Sequence, residues 1–508
     1  MRSVLKPQRW SSHRLSAASV ALAAVVASGC GEHREVGQPA PLVSAAVAVV
    51  THASQAHVVD LLVPVSEAAQ LRVDLDDPMA QGESVEASAA GTVRVRLRAL
   101  LADRDYDCKL TVRANGAEEV VPVSFRTLPA QKTELSQFDV TNTDGAPDFR
   151  LFDFSATPGV NDGAIYLIDV EGRTRFFAAK PAAGKLAGPF RVPSGLKLLG
   201  DGRLVFVQDG DLHFVDDLGA TVKTVFAKDV GNPGFHHDVI ELPSGNLLTL
   251  GLEFGTFSLD QDGQDYSYAG DTITELSPGG DKVWEWSSFA HLDTQRVLED
   301  FFVNEYVNPA TQEPARDWTH ANGVIHSPED DSLLLSLRHQ DWILKIDRSS
   351  SQVLWRLGQD GDFALSSGSW FFHQHSPQWQ PDGSLLVYDN GIDNPNLPAD
   401  EERSRPVIYV LNEKDRTAQQ IWADTEKKYM SAIMGDADRT STGTILVLDS
   451  SLLLDPSKPY VLDTFSKMRE VDRKTGEWVW TLRTPDHSFA YRAVPVTRVP
   501  GQAAVVGE

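Results

Sequence analysis

Cysteine is nearly absent: the 508 residues include two, Cys30 and Cys108. Two thiols exclude a disulfide framework and any zinc site built on several cysteines. Positive charge is also in short supply, with 46 Lys and Arg against 71 Asp and Glu, a formal net charge of −25. That balance excludes nucleic acid as a partner, because little is left to neutralise phosphates. Blocks of like charge are missing, so the acidic residues read as ordinary solvated surface. The one long apolar run lies near the start and is short for a membrane-spanning helix. What remains is a chain long enough for two or more domains with large cores.

Arg2, Lys6, Arg9 and Arg14 precede the apolar stretch "LSAASVALAAVVASGC", the layout of a secretory signal. Its end, "VASGC", resembles the bacterial lipobox, which implies cleavage before Cys30 and lipidation of the Cys30 sulfur. The expectation is a lipoprotein signal peptide over residues 1–29 and a polar, Pro-containing tether over 30–41. The protein would then be periplasmic or at the cell surface. Its lipid would be its sole link to a bacterial membrane, with the outer membrane favoured. Cys108, in the strand-like "YDCKLTVRA", is expected to be a buried free thiol.

Residues 42–130 consist of short alternating segments such as "QLRVDLDD", "GTVRVRLRAL" and "DCKLTVRA", broken by turns, which predicts a small β-sandwich. "LLADRDYDCKLTV" followed by "VSFRTLP" resembles the end of a fibronectin type III domain, with Tyr106 as the corner tyrosine. Residues 131–508 carry a repeat. "ITELSPGGDKVWEW", "ILKIDRSSSQVLWRL" and "MREVDRKTGEWVWTL" each read as a strand, a turn and a second strand ending near Trp. About six copies recur at roughly 50 to 70 residues, looser than a compact WD40 blade. A tight turn feeding an apolar strand precedes most of them, as in "LPSGNLLTL" and "QPDGSLLVY". Four strands per unit, repeated radially, make a propeller, because one such sheet cannot bury both of its faces alone. The expected fold is therefore all-β: a six-bladed β-propeller behind a fibronectin- or immunoglobulin-like β-sandwich. Trp286, Trp355, Trp422 and Trp480 are read as filling the space between blades.

Three blades carry histidine just ahead of the turn-and-strand pattern: His236 and His237 in "GFHHDVIELPSGNLL", His320 in "DWTHANG", and His373 and His375 in "FFHQHSPQWQPDGSLL". Similar offsets within a radial repeat bring such side chains together at the axis. Converging imidazoles could hold a metal, with Asp238 adjacent. With Arg338 among them they instead suit an anion, one imidazole attacking while the others donate hydrogen bonds. A fixed guanidinium repels a cation and holds an oxyanion, which favours the second arrangement and no metal.

"HHD-x-I-E-L-P-x-G-N-L-L", "DW-x-H-x-N", "SLRHQ", "QH", "DNG" and "FAYRA" occur in that order and resemble the bacterial arylsulfate sulfotransferase family. The resemblance implies a six-bladed propeller, periplasmic or lipid-anchored. It would move a sulfuryl group from a phenolic sulfate donor to a phenol acceptor with no cofactor. It implies His375 as a nucleophile that becomes sulfohistidine in a ping-pong cycle, Arg338 as the sulfate-binding residue, and His320 and His237 as its catalytic companions. His236, Asn322, His373 and Asn390 fall beside these as candidate substrate-binding residues. A homodimer is left open. Leu337 stands where the family has Ser, His373 is an addition, and the disulfide common in the family cannot form within this chain. Two other readings use the same residues: a metal-dependent propeller enzyme with histidine ligands, and a non-catalytic surface propeller binding peptides or glycans.

One outcome follows from the amino-terminal pattern. Replacing Cys30 by Ser is expected to leave the chain unprocessed or soluble. Membrane sedimentation and gel mobility check this, and unchanged attachment and processing would contradict it.

Overall fold

The computed structural model describes residues 20–24, 40–156, 163–180, 193–298, 306–398, 402–424, 430–454 and 464–504. Cys30, the expected cleavage site and most of the expected signal segment and tether lie outside the described residues. The chain divides into two units, Met1–Gln131 and Lys132–Glu508, and nearly every element in either is a strand.

Among its described residues the first unit holds two antiparallel sheets. Alternation builds them. Along Asp105–Ala114 every second residue is buried, so Tyr106, Cys108, Leu110 and Val112 face inward. They share one core with Leu61, Val63 and Val95 of the other sheet. The Tyr106 hydroxyl accepts the Leu101 N–H at 2.7 Å and donates to Asp77 at 3.1 Å, tying strand to preceding loop as a corner tyrosine does. Cys108 is a buried free thiol. Burial pushes it up to about 12, and its S–H points at the Val123 carbonyl, 3.3 Å away. Val20–Ala24, inside the expected signal segment, pairs with Ala48–His52 at the edge of this unit's larger sheet.

The second unit holds six sheets among the described residues, each of four or more strands. Their inner strands are β1 (Ser194–Leu198), β2 (Phe235–Glu241), β3 (Ala321–Ser327), β4 (His375–Trp379), β5 (Asp436–Arg439) and β6 (Ala493–Val496). Each packs against the next from β1 to β6. The ring then closes through Phe149–Ala156, which pairs with β6 and packs on β1. This is the layout of a β-propeller. The second strand of each sheet lies between two neighbouring sheets and is covered on both faces. That is why Ser332–Leu337 and Leu385–Asp389 are buried at every position and read as continuous apolar runs.

Each repeat tryptophan sits on an outer strand and reaches into the following sheet. Trp286 joins Leu333 and Leu335, Trp355 joins Leu385 and Val387, Trp422 packs beside Ala437 and Val447, and Trp480 joins Phe152 and Tyr166. Trp480 is 0% exposed, donates its indole N–H to the Val170 carbonyl at 2.7 Å, and lies under the Arg150 guanidinium. It therefore fastens the last sheet to the first. Two further ties close the ring. Asp139–Thr143 adds an outer strand to the last sheet, and the β6 pairing supplies the inner strand of the first.

Buried carboxylates reinforce the joints. Asp238 accepts the Val324 N–H at 3.0 Å, Asp271 the Ala321 N–H at 2.6 Å, Asp436 the Ala493 N–H at 3.2 Å, and Asp153 the Arg492 N–H at 2.8 Å. Each satisfies a backbone donor that no ladder reaches.

Trp480→Ala is expected to destabilise the Lys132–Glu508 unit by about 3–5 kcal/mol, the cost of emptying a packed aromatic site. Denaturant unfolding followed by tryptophan fluorescence measures it. A loss under about 1 kcal/mol would show that Trp480 does not carry the closure.

Candidate active site

The histidines gather at one end of the inner strands, where the backbone is irregular. β1, β2 and β4 each carry a bulge, between Ser194 and Lys197, His236 and Val239, and His375 and Gln378. The residue after the first of each is left-handed: Gly195 at φ 65°, His237 at 56° and Ser376 at 47°. In β1 glycine is required, because a Cβ there would meet the Asp238 Cα at 2.9 Å. In β2 a histidine takes the same conformation against its steric preference. Bulges re-aim side chains next to functional sites, and here they turn His236, His237 and His375 inward. The bulge register matches His375 with His236. Counting back eight residues from the turn glycines Gly245 and Gly383 instead matches it with His237, because the two turns are alike and the β2 bulge holds one residue more than the β4 bulge. His320, at φ 47°, lies just before β3 and reaches the cluster from a loop.

The structure brings His237, His320 and His339 together. Ring centroids are 4.8 Å apart for His237 and His320 and 4.6 Å for His320 and His339. His320 Nδ1 is hydrogen-bonded to the Asp317 carboxylate. His339 Nδ1 donates to the Asp317 carbonyl at 2.7 Å. Arg338 opens the short turn after Ser332–Leu337 and is 2% exposed. Its backbone N–H reaches the His320 carbonyl at 3.1 Å and its guanidinium the Ala432 carbonyl at 3.2 Å.

His375 has the clearest geometry. Asn390 donates through Nδ2 to the Ser431 and Met434 carbonyls, both at 2.7 Å. With the amide nitrogen held there, Oδ1 faces His375 Nδ1 at 2.7 Å. An amide oxygen only accepts, so Nδ1 carries the proton and Nε2 of the neutral ring keeps its lone pair. Burial holds His375 well below the ordinary imidazole range. The charge of Arg338 acts in the same direction, while the Asn390 bond opposes it weakly. His237 is held down by burial and then by His320, His236, His375 and Arg492. His339 is held down by burial, His320 and Arg338. His375, His237 and His339 are neutral rings beside buried guanidinium groups, a place where an anion is welcome.

The remaining candidates are used differently. Asn390 is spent on orienting His375. His373 Nδ1 lies 3.1 Å from the Arg338 carbonyl and 3.2 Å from Asp341, bracing the turn that carries Arg338. His236 lies between His237 and Asp271. Asn322 is fully buried and donates to the Gln374 carbonyl at 2.7 Å. Several residues here stand outside the sequence-based candidates. Asp317 and His339 back His320. Arg492 pairs with Asp238 at 3.3 Å. Tyr491 stands with its ring 5.7 Å from His237 and its buried hydroxyl without a partner among the described residues. "FAYRA" carried the signal for Tyr491 and Arg492. The first residue of "DW-x-H-x-N" is Asp317, and its spacing of three from His320 is the signal that marks it.

Asp317, His320 and His339 offer atoms within 4.8 Å of one another, the reach of a metal site. However, His320 Nδ1 is taken by the Asp317 carboxylate and His339 Nδ1 by the Asp317 carbonyl. Arg338, adjacent in the chain, adds fixed positive charge.

Two relatives give the arrangement a context. The chain is 28% identical over 303 residues to "Arylsulfate sulfotransferase AssT" of Escherichia coli O6:H1, a match covering 47% of this chain and 49% of that protein. It is 28% identical over 199 residues to "Arylsulfate sulfotransferase AssT" of Lelliottia amnigena, covering 32% of each. The chain thus spans about half the length of the first curated relative and about a third of the second. Among solved structures, a protein of unknown function from Bacteroides caccae aligns with a TM-score of 0.40 at 14% identity, over 67% of this chain and 94% of that one, too distant to bear on function. The model of the family described as "Arylsulfotransferase (ASST)" matches residues 137–492, a span that takes in every histidine of the cluster, and this chain belongs to the arylsulfotransferase family.

Proposed function

We propose that this protein transfers a sulfuryl group from an aryl sulfate to a phenol, in two half-reactions that share one sulfated histidine, His375. The observation that carries the reading is the Asn390–His375 hydrogen bond. It presents an unprotonated Nε2 in a dry site beside Arg338. A neutral imidazole attacks without first losing a proton, which suits a loose, charge-spread transition state of the phosphoryl-transfer kind.

In the first half-reaction His375 Nε2 attacks the sulfur. The bond from sulfur to the phenolic oxygen breaks, and its electron pair leaves on the phenolate. Arg338 and His320 hold the sulfuryl oxygens, the latter with its Nδ1 fixed by Asp317. A neighbouring imidazole protonates the leaving oxygen. The second half-reaction reverses these steps with an acceptor phenol, whose proton goes to the same imidazole, and the sulfur–nitrogen bond breaks. Family membership supports the reaction class, and the carboxylate and carbonyl contacts at Asp317 together with Arg338 favour an anion over a metal. The lipobox-like stretch would place this chemistry on the outer side of a bacterial membrane.

Donor alone is expected to release about one phenol per chain in a burst and to leave a sulfuryl group on the His375 peptide, read by mass spectrometry after alkaline quenching. His375→Ala should abolish burst and turnover. Arg338→Ala should lower the rate by about two to three orders of magnitude, the scale of losing an oxyanion partner. Full activity with an unmodified His375 peptide would indicate direct transfer instead.

The acid limb of the rate profile has a defined position. Because burial and Arg338 hold His375 well below its ordinary value, the ring stays neutral as pH falls past about 6.5. Activity on a nitrophenyl sulfate should therefore persist below that pH and fall only in more acidic buffer. A limb centred near 6.5 would show that His375 titrates as an exposed histidine.

A further inference from the structure

His236 is fully enclosed, and neither of its ring nitrogens is available to a substrate. Nδ1 lies 2.7 Å from Nδ1 of His237. Nε2 lies 3.1 Å from the Asp271 carboxylate, an ion-pair distance though off the line of a good hydrogen bond. The carboxylate is itself fixed, because its other oxygen accepts the Thr319 hydroxyl and the Ala321 N–H, both at 2.6 Å. Three side chains thus run in series, from a buried acid through one imidazole to a second that meets His320 and Tyr491 at the mouth of the site.

The contact between the two rings holds one proton, and with His237 kept from becoming an imidazolium by burial and its cationic neighbours, two arrangements satisfy it. Next to an ionised carboxylate, His236 Nε2 must carry hydrogen, since a lone pair there would face a negative charge. If the shared proton sits on His236, that ring is an imidazolium paired with Asp271, and His237 is neutral with its hydrogen on Nε2. If the shared proton sits on His237, His236 is neutral and His237 Nε2 is bare. The two states differ by one proton passed between nitrogens 2.7 Å apart and by the proton on the far nitrogen of His237. Burial would raise Asp271, but its contacts with His236, Thr319 and Ala321 outweigh it and hold the group below the usual carboxylate range. The anion end of the series therefore persists in both states.

We propose that Asp271, His236 and His237 form a proton relay in which His236 stores positive charge between the two half-reactions. This rests on the sulfotransfer reading above and assigns the leaving-group proton to His237. When the donor's sulfur–oxygen bond breaks, His237 Nε2–H goes to the phenolate and His236 Nδ1–H moves onto His237 Nδ1. The chain then carries a sulfuryl group on His375 and a neutral His236. When the acceptor phenol arrives, its proton goes to His237 Nε2, the Nδ1 proton returns to His236, and the phenolate oxygen takes the sulfur as the bond to His375 breaks. Protons in and out balance over the cycle, and none is exchanged with solvent. Asp271 and His236 are positioning residues; His237 meets the phenol.

The test uses the full chain, with phenyl sulfate as a donor that needs a proton and 4-nitrophenyl sulfate as one that needs it far less. In His236→Gln and in Asp271→Asn, the loss in burst rate with phenyl sulfate should exceed the loss with 4-nitrophenyl sulfate by at least about tenfold, within the range that general acid catalysis contributes. Nitrogen-15 histidine spectra of the wild-type chain should show His236 passing from doubly to singly protonated on addition of donor alone. Equal losses on both donors, in a wild type that turns over both, would overturn the relay while leaving sulfotransfer in place. So would a His236 signal that the donor does not move. A wild type that releases phenol from neither donor would overturn the sulfotransfer reading, and the relay with it.

Discussion

A ring of sheets exists only if its last member is tied to its first, and here that joint is made several times over. The strand at Asp139–Thr143 joins the last sheet, β6 joins the first, and Trp480 spans the gap. Closing a loop of this length costs chain entropy that is recovered only when the contacts form together. The benefit is a ring whose sheets are left with outer edges alone and whose inner strands cannot drift. The same joint delivers Tyr491 and Arg492 to the histidines. Asp153 accepts the backbone N–H groups of both, so the interaction that closes the fold also seats part of the site.

Within that frame the chemistry depends on keeping imidazoles neutral among cations. Arg492 would be weakened as an acid-base bystander by burial, but the carboxylates of Asp238 and Asp436 outweigh it and keep the guanidinium charged. Positive charge stays on arginine and off His375 and His237. An anionic substrate then meets fixed charge it need not reorganise, while the nucleophile keeps its lone pair. The carboxylates near the axis serve two purposes, as backbone acceptors at the blade joints and as counter-charges to the arginines.

Much of this was legible in the residues, and the parts that were not share a cause. The tryptophan-ended repeats and turn-led apolar strands announce sheets covered on both faces, because burial on both sides removes the alternation a one-faced strand shows. The histidines stood out by position. Their register did not: bulges that differ by one residue shift His375 by one place against the β2 pair, and a bulge leaves no mark in composition. Asn390 and Asp271 could not be assigned roles from their neighbours in sequence. Each acts across space, Asn390 by donating to Ser431 and Met434, and Asp271 by facing His236 from another strand of the same sheet. His373 shows the reverse case. It stands two residues from His375 and was a candidate for binding substrate, but its left-handed backbone turns it toward Asp341 and the Arg338 carbonyl.

The pairing of β6 with Phe149–Ala156 has a consequence for the making of the protein. Asp153 and its partner Arg492 are 339 positions apart. At ~5–20 residues per second, a ribosome needs on the order of tens of seconds to pass from one to the other. Throughout that interval the first blade has no inner strand and the histidine cluster has no Tyr491 or Arg492. A polypeptide released before Tyr491 would therefore lack a closed ring and a complete site together. Degradation machinery that recognises open sheet edges would be removing the same molecules that cannot function, so the topology acts as a check on the integrity of its own translation.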